Sequence, residues 1–376
     1  MRGVKPLNFS ITGSAGTPIQ ARMGGASLDV LRFLAALFIL LFHYGSNAPR
    51  DLETIVPVFR QGWLATDFFL MLSGYVLSRA YGRRLVESGM RRSHFFLRRF
   101  ARLWPSHVIV LLAFGAFVLA SGAVGLMPKH PDKYGAFAFL AQVFMVHGWG
   151  MFSAPSWNVP TWTISALLIC YGLFSFYAPW MWRLRRWQLA ALALGALAVA
   201  HLFALSVVRH PLADLPFEWG LGRAIPLFAI GSLIERATSG LTTPKPVFWI
   251  GSVGVLLALP FLCLLPRNIG MDTLLLGLLA LTLAVSGGVT FPETTATRLM
   301  GRASFALFLV HSLVGAIWFG VTARLTAHFG LGAAAQWALW SLGVLLAVIA
   351  AFVFDALVDK PLSQRVSRLS FVKGGV

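Results

Sequence analysis

Long runs of apolar residues recur along the whole chain of 376 residues and are separated by short polar stretches. Within each run the apolar residues are continuous, which excludes the alternating pattern of transmembrane β-barrel strands. Runs of about 18 or more apolar residues are long enough to cross a bilayer as helices. The pattern therefore predicts an all-α fold, a polytopic transmembrane helix bundle of about ten spans: 28–45, 62–80, 104–122, 161–181, 187–208, 219–236, 246–265, 271–288, 303–321 and 333–357.

The apolar stretch 135–146 is too short for a standard span, and loop charge indicates its position. If it does not cross, ten spans place both termini in the cytoplasm, with 22 Lys and Arg residues on the inner side and 7 on the outer side. If it crosses, Arg183, Arg185 and Arg186 move outside and every later loop inverts. Because cytoplasmic loops are enriched in Lys and Arg, we predict that 135–146 lies on the outer surface or re-enters from it.

The composition agrees with a membrane protein, since 57% of the residues are hydrophobic and only 12% are charged. In a soluble protein the net charge of +18 would indicate a nucleic-acid partner. Here basic loops that orient the spans and face anionic lipid heads account for it, so we expect no nucleic-acid binding. Cys170 and Cys263 both lie in apolar runs, which argues against a disulfide framework or a metal site.

The polar and charged residues at the two ends suggest a simple domain organisation. We expect a flexible cytoplasmic tail over 1–26, a transmembrane domain over 27–360, and a basic cytoplasmic tail over 361–376. The first apolar run is not followed by a small-residue cleavage site, so no signal peptide is predicted.

Three ionisable residues in the first two spans are candidates for chemistry. Arg32 and His43 are eleven residues apart, which places them on one helical face about 16 Å apart along the axis. Asp67, in the second span, lies near the depth of His43, where a carboxylate could orient the imidazole. Charged groups within spans usually face the bundle interior or a wet cavity. Taken alone, the same residues equally allow a snorkelling Arg32 and an interfacial His43.

A basic segment precedes the third span. Arg98, Arg99 and Arg102 fall at positions i, i+1 and i+4, so they share one face if the segment is helical. The planar guanidinium fork is well suited to phosphate oxygens, and the segment is a candidate phosphate-binding surface. Binding of lipid head groups and a role in topology explain it equally well.

Further polar residues lie inside or beside the apolar runs. Ser73 lies mid-span, where Ser73-Gly74 is also typical of close helix packing. Asn158, Trp162 and Ser165 open the fourth span at a higher polar density than an interfacial belt needs. His311 lies near mid-bilayer, where a lone histidine can equally form a helix–helix hydrogen bond.

Together these segments resemble the membrane acyltransferase family 3, in the same order and topology. Each motif is weak alone, but the five occur jointly from position 32 to position 311. They are Arg32 with ten residues before His43, Asp67 to Tyr75, Arg98 to Pro105, Asn158 to Ser165, and Ser304 to His311.

The resemblance implies transfer of an acyl group, usually acetyl, from cytoplasmic acyl-CoA to a hydroxyl group at the inner (plasma) membrane. The acceptor would be a glycan, a lipid-linked sugar or another envelope or secreted molecule, and His43 would either deprotonate its hydroxyl or carry the acyl group briefly. No permanently bound cofactor or metal is expected, and the partners are acyl-CoA, the acceptor and membrane lipids. The candidate catalytic residues are His43, Asp67 and His311, and the candidate substrate-binding residues are Arg32, Ser73, Arg98, Arg99, Arg102, Asn158, Trp162 and Ser165.

The chain departs from the family pattern at one acidic position. Leu167 stands where the family usually has Glu, whereas Asp359-Lys360-Pro361 keeps the charge of the late Glu-x-Pro motif. A flippase without acyl-transfer chemistry therefore stays open. A transporter or channel is a second alternative, because polar residues in spans suit it as well. No repeated pair of broken helices supports that alternative.

The charge distribution yields a direct test of topology. A reporter domain fused after Arg186 should read as cytoplasmic, because the 22-to-7 split depends on 135–146 not crossing. A fusion after Arg60, in the first outer loop, serves as the control and should read as external. An external signal from the Arg186 fusion would exclude the ten-span topology.

Overall fold

The structure, a computed structural model, describes residues 25–126 and 131–368. Regular structure in these ranges is entirely helical, without strands, so the predicted all-α fold class is confirmed. The helices are α1 (Ala26–Gly45), α2 (Leu52–Ile55), α3 (Trp63–Leu77), α4 (Arg83–Glu87), α5 (Arg92–Ala123), α6 (Ala136–Val143), α7 (Trp162–Met181), α8 (Arg186–Phe203), α9 (Gly220–Thr238), α10 (Lys245–Leu262), α11 (Ile269–Gly288), α12 (Thr295–Phe329), α13 (Ala333–Phe354) and α14 (Lys360–Arg368).

Nine helical segments in the described ranges are long and apolar enough to cross a membrane, and each overlaps a predicted span. The remaining predicted span, 62–80, corresponds to α3 and a π-helical turn, Ser78–Gly82, that joins it to α4. The 15 residues of α3 alone are fewer than the about 20 of a typical spanning helix. The tenth crossing and the cytoplasmic position of the termini therefore stay predictions.

The stretch 135–146 contains only the short helix α6. Its 8 residues extend for about 12 Å, less than half of a hydrocarbon layer about 30 Å thick. This length agrees with the prediction that the stretch does not cross the membrane.

Helix α5 is much longer than the span predicted within it. Its 32 residues extend for about 48 Å, and the predicted span 104–122 forms only the later part. Pro105 lies inside the helix without ending it. The basic segment is therefore a continuous extension of a spanning helix, so its arginines are held on a rigid element and not on a loop.

The predicted tails are described only in part. Residues 1–24 and 369–376 lie outside the described ranges, and α1 begins at Ala26. Residues 361–368 belong to α14, which follows a second π-helical turn, Asp355–Asp359, and packs against α5. The start of the predicted basic tail is therefore helical.

Two glycines allow α3 and α9 to pack backbone against backbone. A Cβ atom at Gly74 would overlap the carbonyl group of Phe228, and one at Gly231 would overlap that of Met71. Small residues at such positions are typical of close helix contacts in membranes. The packing interpretation of the Ser73-Gly74 pair is thus confirmed for Gly74.

The remaining contacts place α12 beside the first span. Helix α12 packs along α1 on one side and along α13 on the other. Helix α10 has no buried residue and packs mainly on α11, at the periphery of the bundle. The main neighbours of α1 are α12 and α3, with smaller contacts to α2, α11 and α13.

Candidate functional site

Two histidines from α1 and α12 form a hydrogen-bonded pair. His43 Nδ1 lies 3.0 Å from His311 Nε2, and the two rings are nearly parallel, with centroids 5.2 Å apart. His311 Nδ1 lies 2.9 Å from the carbonyl oxygen of Leu307. Since a carbonyl only accepts, His311 Nδ1 carries the hydrogen and neutral His311 accepts at Nε2. His43 therefore donates from Nδ1, and its lone pair falls on Nε2.

The surroundings of the pair fix His311 more firmly than His43. His311 is fully buried, and the hydroxyl of Tyr44 donates to its backbone carbonyl over 2.7 Å. The side-chain amide of Asn158 donates to the carbonyl of Leu309, two residues earlier, over 2.9 Å. His43 is only partly buried, and its Nε2 makes no hydrogen bond to any described residue. The pair thus presents one ring nitrogen, His43 Nε2, that no described residue occupies, and a fully buried histidine lies behind it.

Asp67 does not contact His43. Its carboxylate accepts a hydrogen bond from Nε of Arg223 on α9, and Arg223 Nη2 donates to the carbonyl of Trp63 over 3.1 Å. Both charged side chains are buried, with 0% of Asp67 and 10% of Arg223 exposed. The expectation that Asp67 orients His43 is therefore wrong. A buried carboxylate takes the adjacent buried cation as its partner, and His311 takes the orienting position instead.

Arg102 is committed to an ion pair within the protein. Two of its nitrogens donate to the carboxylate of Asp359, at the end of the π-helical turn, over 2.8 and 2.7 Å. The hydroxyl of Ser106 donates to the same carboxylate over 2.6 Å. This bidentate pair joins α5 to the segment after α13. Arg102 thus joins two parts of the bundle, and a phosphate contact by Arg102 stays a prediction.

The other three predicted arginines form fewer or longer polar contacts within the protein than Arg102 does. Arg99 donates to the hydroxyl of Tyr81 over 2.6 Å and stacks on its ring, while its Nε is buried without a partner among the described residues. Arg32 contacts Asp29 over 3.3 Å. Arg98 is partly buried and makes no ion pair or hydrogen bond within the described part of the chain. Donor groups of these arginines are therefore available to a ligand.

A tyrosine that the sequence analysis missed lies among these charges. Tyr171 on α7 lies close enough to Arg32, Arg99 and Arg102 to interact electrostatically with all three. Leu167, one helical turn earlier on the same face, is 3% exposed and belongs to the apolar core. No sequence motif marks Tyr171, since a tyrosine in an apolar run is ordinarily a core residue. Arginines from both α1 and α5 therefore lie near Tyr171.

The hydroxyl groups of two predicted substrate-binding serines form hydrogen bonds with backbone groups of the protein. Ser165 donates to the carbonyl of Met145 over 2.7 Å and accepts from the amide of Gly148 over 3.0 Å. It is fully buried and holds the loop after α6, and a substrate contact by Ser165 stays a prediction. Ser73 donates to the carbonyl of Phe69 one turn earlier in α3, over 2.7 Å. A substrate contact by Ser73 stays a prediction.

A second pair of buried histidines joins α5 to the loop after α6. The rings of His107 and His147 are parallel, with centroids 6.0 Å apart. His107 Nε2 donates to the carbonyl of Gln142, and His147 Nε2 lies 3.2 Å from the hydroxyl oxygen of Thr161. Burial lowers the pKa of His147 to about 3, so it stays neutral. Among the described residues no group of three or more His, Cys, Asp or Glu could hold a metal ion.

Trp162 lies in a pocket at the start of α7. The pocket has a volume of about 210 Å³ and lies between the segment before α7 and the start of α9. Its lining residues are Pro155, Trp162, Leu215, Pro216, Phe217, Gly220 and Arg223. The structure thus brings Trp162 together with Arg223, to which the sequence analysis gave no role. The rule that charged residues within spans pair with one another would have indicated Arg223 as a partner for Asp67.

Comparison with known proteins gives one family and two relatives. A family model described as an acyltransferase domain matches residues 26–356. Protein 2 in the picA locus of Rhizobium radiobacter is 37% identical over 107 residues, covering 28% of this chain and 52% of that relative, so the match spans about half of its length. Acyltransferase MdmB of Streptomyces mycarofaciens is 25% identical over 397 residues, covering 91% of this chain and 92% of that protein. No solved structure matches the chain significantly.

The Arg102–Asp359 pair makes a prediction about stability. Arg102→Ala leaves a nearly buried carboxylate without its cation, which typically costs about 3–5 kcal/mol. We expect a lower unfolding temperature for the purified protein in detergent, and a smaller loss in the double variant Arg102→Ala, Asp359→Ala than the two single losses added. Arg98→Ala, on the same helix, is the control and should unfold at the wild-type temperature. Additive losses in the double variant would contradict the pairing.

Proposed function

The chain belongs to the acyltransferase family whose model matches residues 26–356, and on that premise we propose that it is a membrane O-acyltransferase. It moves an acyl group, acetyl in our proposal, from cytoplasmic acyl-CoA to a hydroxyl of a glycan or other envelope acceptor. Its nine apolar helices in the described ranges suit a multi-pass protein, and we place it in the inner (plasma) membrane. The observation that carries the proposal is the His43–His311 pair with its free basic nitrogen.

The donor site follows from the arginines around Tyr171. Coenzyme A carries several phosphate charges, and Arg32, Arg99 and Arg102 all lie within electrostatic reach of Tyr171, toward the end of the bundle that loop charge assigns to the cytoplasm. Arg102 is held by Asp359, so Arg32 and Arg99 are the ligands that we propose, with Arg98 beside them on α5. Charge-assisted, bidentate contacts to phosphate suit arginine better than lysine.

The distance between the two groups on α1 matches an extended donor. Arg32 and His43 share one face about 16 Å apart, so phosphates held near Arg32 leave the thin pantetheine arm to reach along the bundle. The thioester then arrives near His43 without any movement of the charged part of the donor. The acceptor approaches from the opposite end of the bundle.

The chemistry uses the free nitrogen of His43. His43 Nε2 takes the proton of the acceptor hydroxyl as its oxygen attacks the thioester carbonyl, forming the ester C–O bond. The C–S bond breaks, and the sulfur of coenzyme A leaves with the proton that His43 returns. His311 accepts from His43 Nδ1–H throughout and stabilises the imidazolium formed on the way, while the Leu307 carbonyl fixes its tautomer.

The histidine pair predicts unequal effects of two substitutions. His43→Ala should lower acyl transfer by about 10²–10⁴-fold, because the general base is lost. His311→Ala should lower kcat while KM for the donor stays unchanged, since the base is present but misoriented. His311→Gln should restore part of kcat, because its amide oxygen can accept from His43 Nδ1. The measurement is transfer of labelled acetyl from acetyl-CoA into the material of native membranes.

Controls separate this role from folding. His210→Ala removes an exposed histidine and should transfer at the wild-type rate. All variants are compared per amount of folded protein, from size-exclusion chromatography in detergent. Near-wild-type transfer by folded His43→Ala would exclude His43 as the base and with it the proposed mechanism.

Substitution of the proposed phosphate-binding arginines should change KM for the acyl donor and leave the chemical step unchanged. Arg32→Ala and Arg99→Ala should raise KM for acetyl-CoA by about 10–100-fold, as expected for loss of a hydrogen bond to a charged group worth about 1.5–3 kcal/mol. Arg324→Ala, whose side chain is exposed and bonds only its own helix, is the control. An unchanged KM in both variants would move the donor site away from this end of the bundle.

A further inference from the structure

The pocket at Trp162 is small and only partly closed. Its volume of about 210 Å³ is below the about 300–1,000 Å³ of pockets that hold drug-sized ligands. It therefore fits a group of about one six-membered ring and not an extended molecule. It lies apart from the arginines around Tyr171, so it does not serve the charged part of the donor.

One corner of the pocket is formed by two aromatic rings set edge to face. The rings of Trp162 and Phe217 are 6.3 Å apart between centroids and nearly perpendicular, at 70°. Gly220 lies against the Trp162 ring, and a Cβ atom there would come within 2.9 Å of it. The absence of a side chain at Gly220 thus gives the indole room to lie against the start of α9. Pro155 and Pro216 add further apolar surface.

The polar group of the pocket is a guanidinium whose charge is already balanced. Arg223 gives Nε–H to Asp67 and Nη2–H to the carbonyl of Trp63, and its Nη1 makes no hydrogen bond to any described residue. The pocket therefore offers N–H donors without a net positive charge. Such a site suits a neutral oxygen acceptor, such as a hydroxyl or ring oxygen, because an added carboxylate would compete with Asp67 for the same cation.

The pocket and the histidine pair are joined through the same residues. Asn158, one turn before Trp162, holds the carbonyl of Leu309 next to His311. Gly62, which precedes Trp63, packs directly against the ring of Phe42, the neighbour of His43. A ligand in the pocket therefore lies at the end of the bundle where His43 presents its free nitrogen.

We propose that this pocket binds one neutral, hydroxyl-bearing sugar ring of the acceptor, an inference that rests on the proposed acyltransferase function. The apolar C–H face of the ring packs on Trp162 and Phe217, and Arg223 Nη1 donates to a ring or hydroxyl oxygen. Arg223 and Phe217 are then acceptor-binding residues alongside Trp162. A hydroxyl at the far edge of the ring extends toward His43.

The test measures sugar binding without acyl transfer. Methyl β-D-glucopyranoside is added to the purified protein in nanodiscs, and saturation-transfer difference NMR reports which ring protons contact the protein. We expect signals from the ring C–H protons that fall at least threefold in Trp162→Ala and in Phe217→Ala. Trp219→Ala removes an exposed tryptophan beside the pocket that does not line it, and should keep the wild-type signal.

The outcomes distinguish this proposal from the function on which it rests. His43→Ala should bind the glycoside like the wild type, so loss of transfer with retained binding supports both. No signal from the wild-type protein, or equal signals from the wild type and both pocket variants, would overturn the pocket assignment even if His43→Ala abolishes transfer. A stronger signal from methyl β-D-glucuronide than from the neutral glycoside would overturn the assignment to a neutral ring.

Discussion

A charged side chain inside a membrane bundle requires a partner within the protein, and this requirement determines how the helices meet. Asp67 on α3 pairs with Arg223 on α9, Arg102 on α5 pairs with Asp359, and Arg302 on α12 pairs with Asp355, 3.2 Å away. In each pair the carboxylate is almost fully buried, so loss of either partner leaves a desolvated charge. Because the pairs join helices that are distant in sequence, they restrict the rotation of each helix about its axis. The Arg302–Asp355 pair restricts α12, the helix that carries His311, and His311 in turn holds His43 of α1 through the 3.0 Å hydrogen bond.

The sequence predicts the helices well because continuous apolar runs have few other structural explanations. The predicted bounds of a helix differ from the observed ones where local backbone geometry, and not the length of the apolar run, decides where the helix begins or ends. The α-helical part of the second span is short because a π-helical turn follows it. The third span lies in α5, a helix that begins about three turns before the predicted start of the span. The sequence also predicts the depth of a residue along a span, and Asp67 and His43 were grouped on that basis. It does not predict the direction in which a side chain points around the helix axis, which depends on the neighbouring helix. For the same reason no sequence signal marks Tyr171 as a site residue. Arg223 is indicated by the sequence only as a charge that needs a partner within the bundle, and not as a residue that lies beside Trp162.

The histidine pair resembles a serine-hydrolase triad in its logic, although its parts differ. In both arrangements a fixed hydrogen bond behind the imidazole selects the tautomer and leaves the other nitrogen free for proton transfer. Here the supporting group is a neutral imidazole whose own tautomer is fixed by the Leu307 carbonyl, and no carboxylate of residues 25–126 or 131–368 contacts the pair. A neutral supporting group suits a site among apolar helices, where an extra negative charge would need a cation of its own. Leu167, at the position where the resemblance implies a Glu, likewise adds no charge, because it packs within the apolar core.

The placement of Arg32 and His43 on one uninterrupted helix makes their separation a property of the protein and not of the membrane. Eleven residues of hydrogen-bonded helix fix the spacing at about 16 Å whatever the thickness of the surrounding lipid. A bilayer that is too thick or too thin is accommodated by tilting the helix or deforming the lipid, and neither changes a distance measured along the helix axis. Helix α1 thus acts as a ruler within the bundle. An enzyme built on it should tolerate changes in lipid chain length that would disturb a site assembled from groups on separate, independently tilting helices.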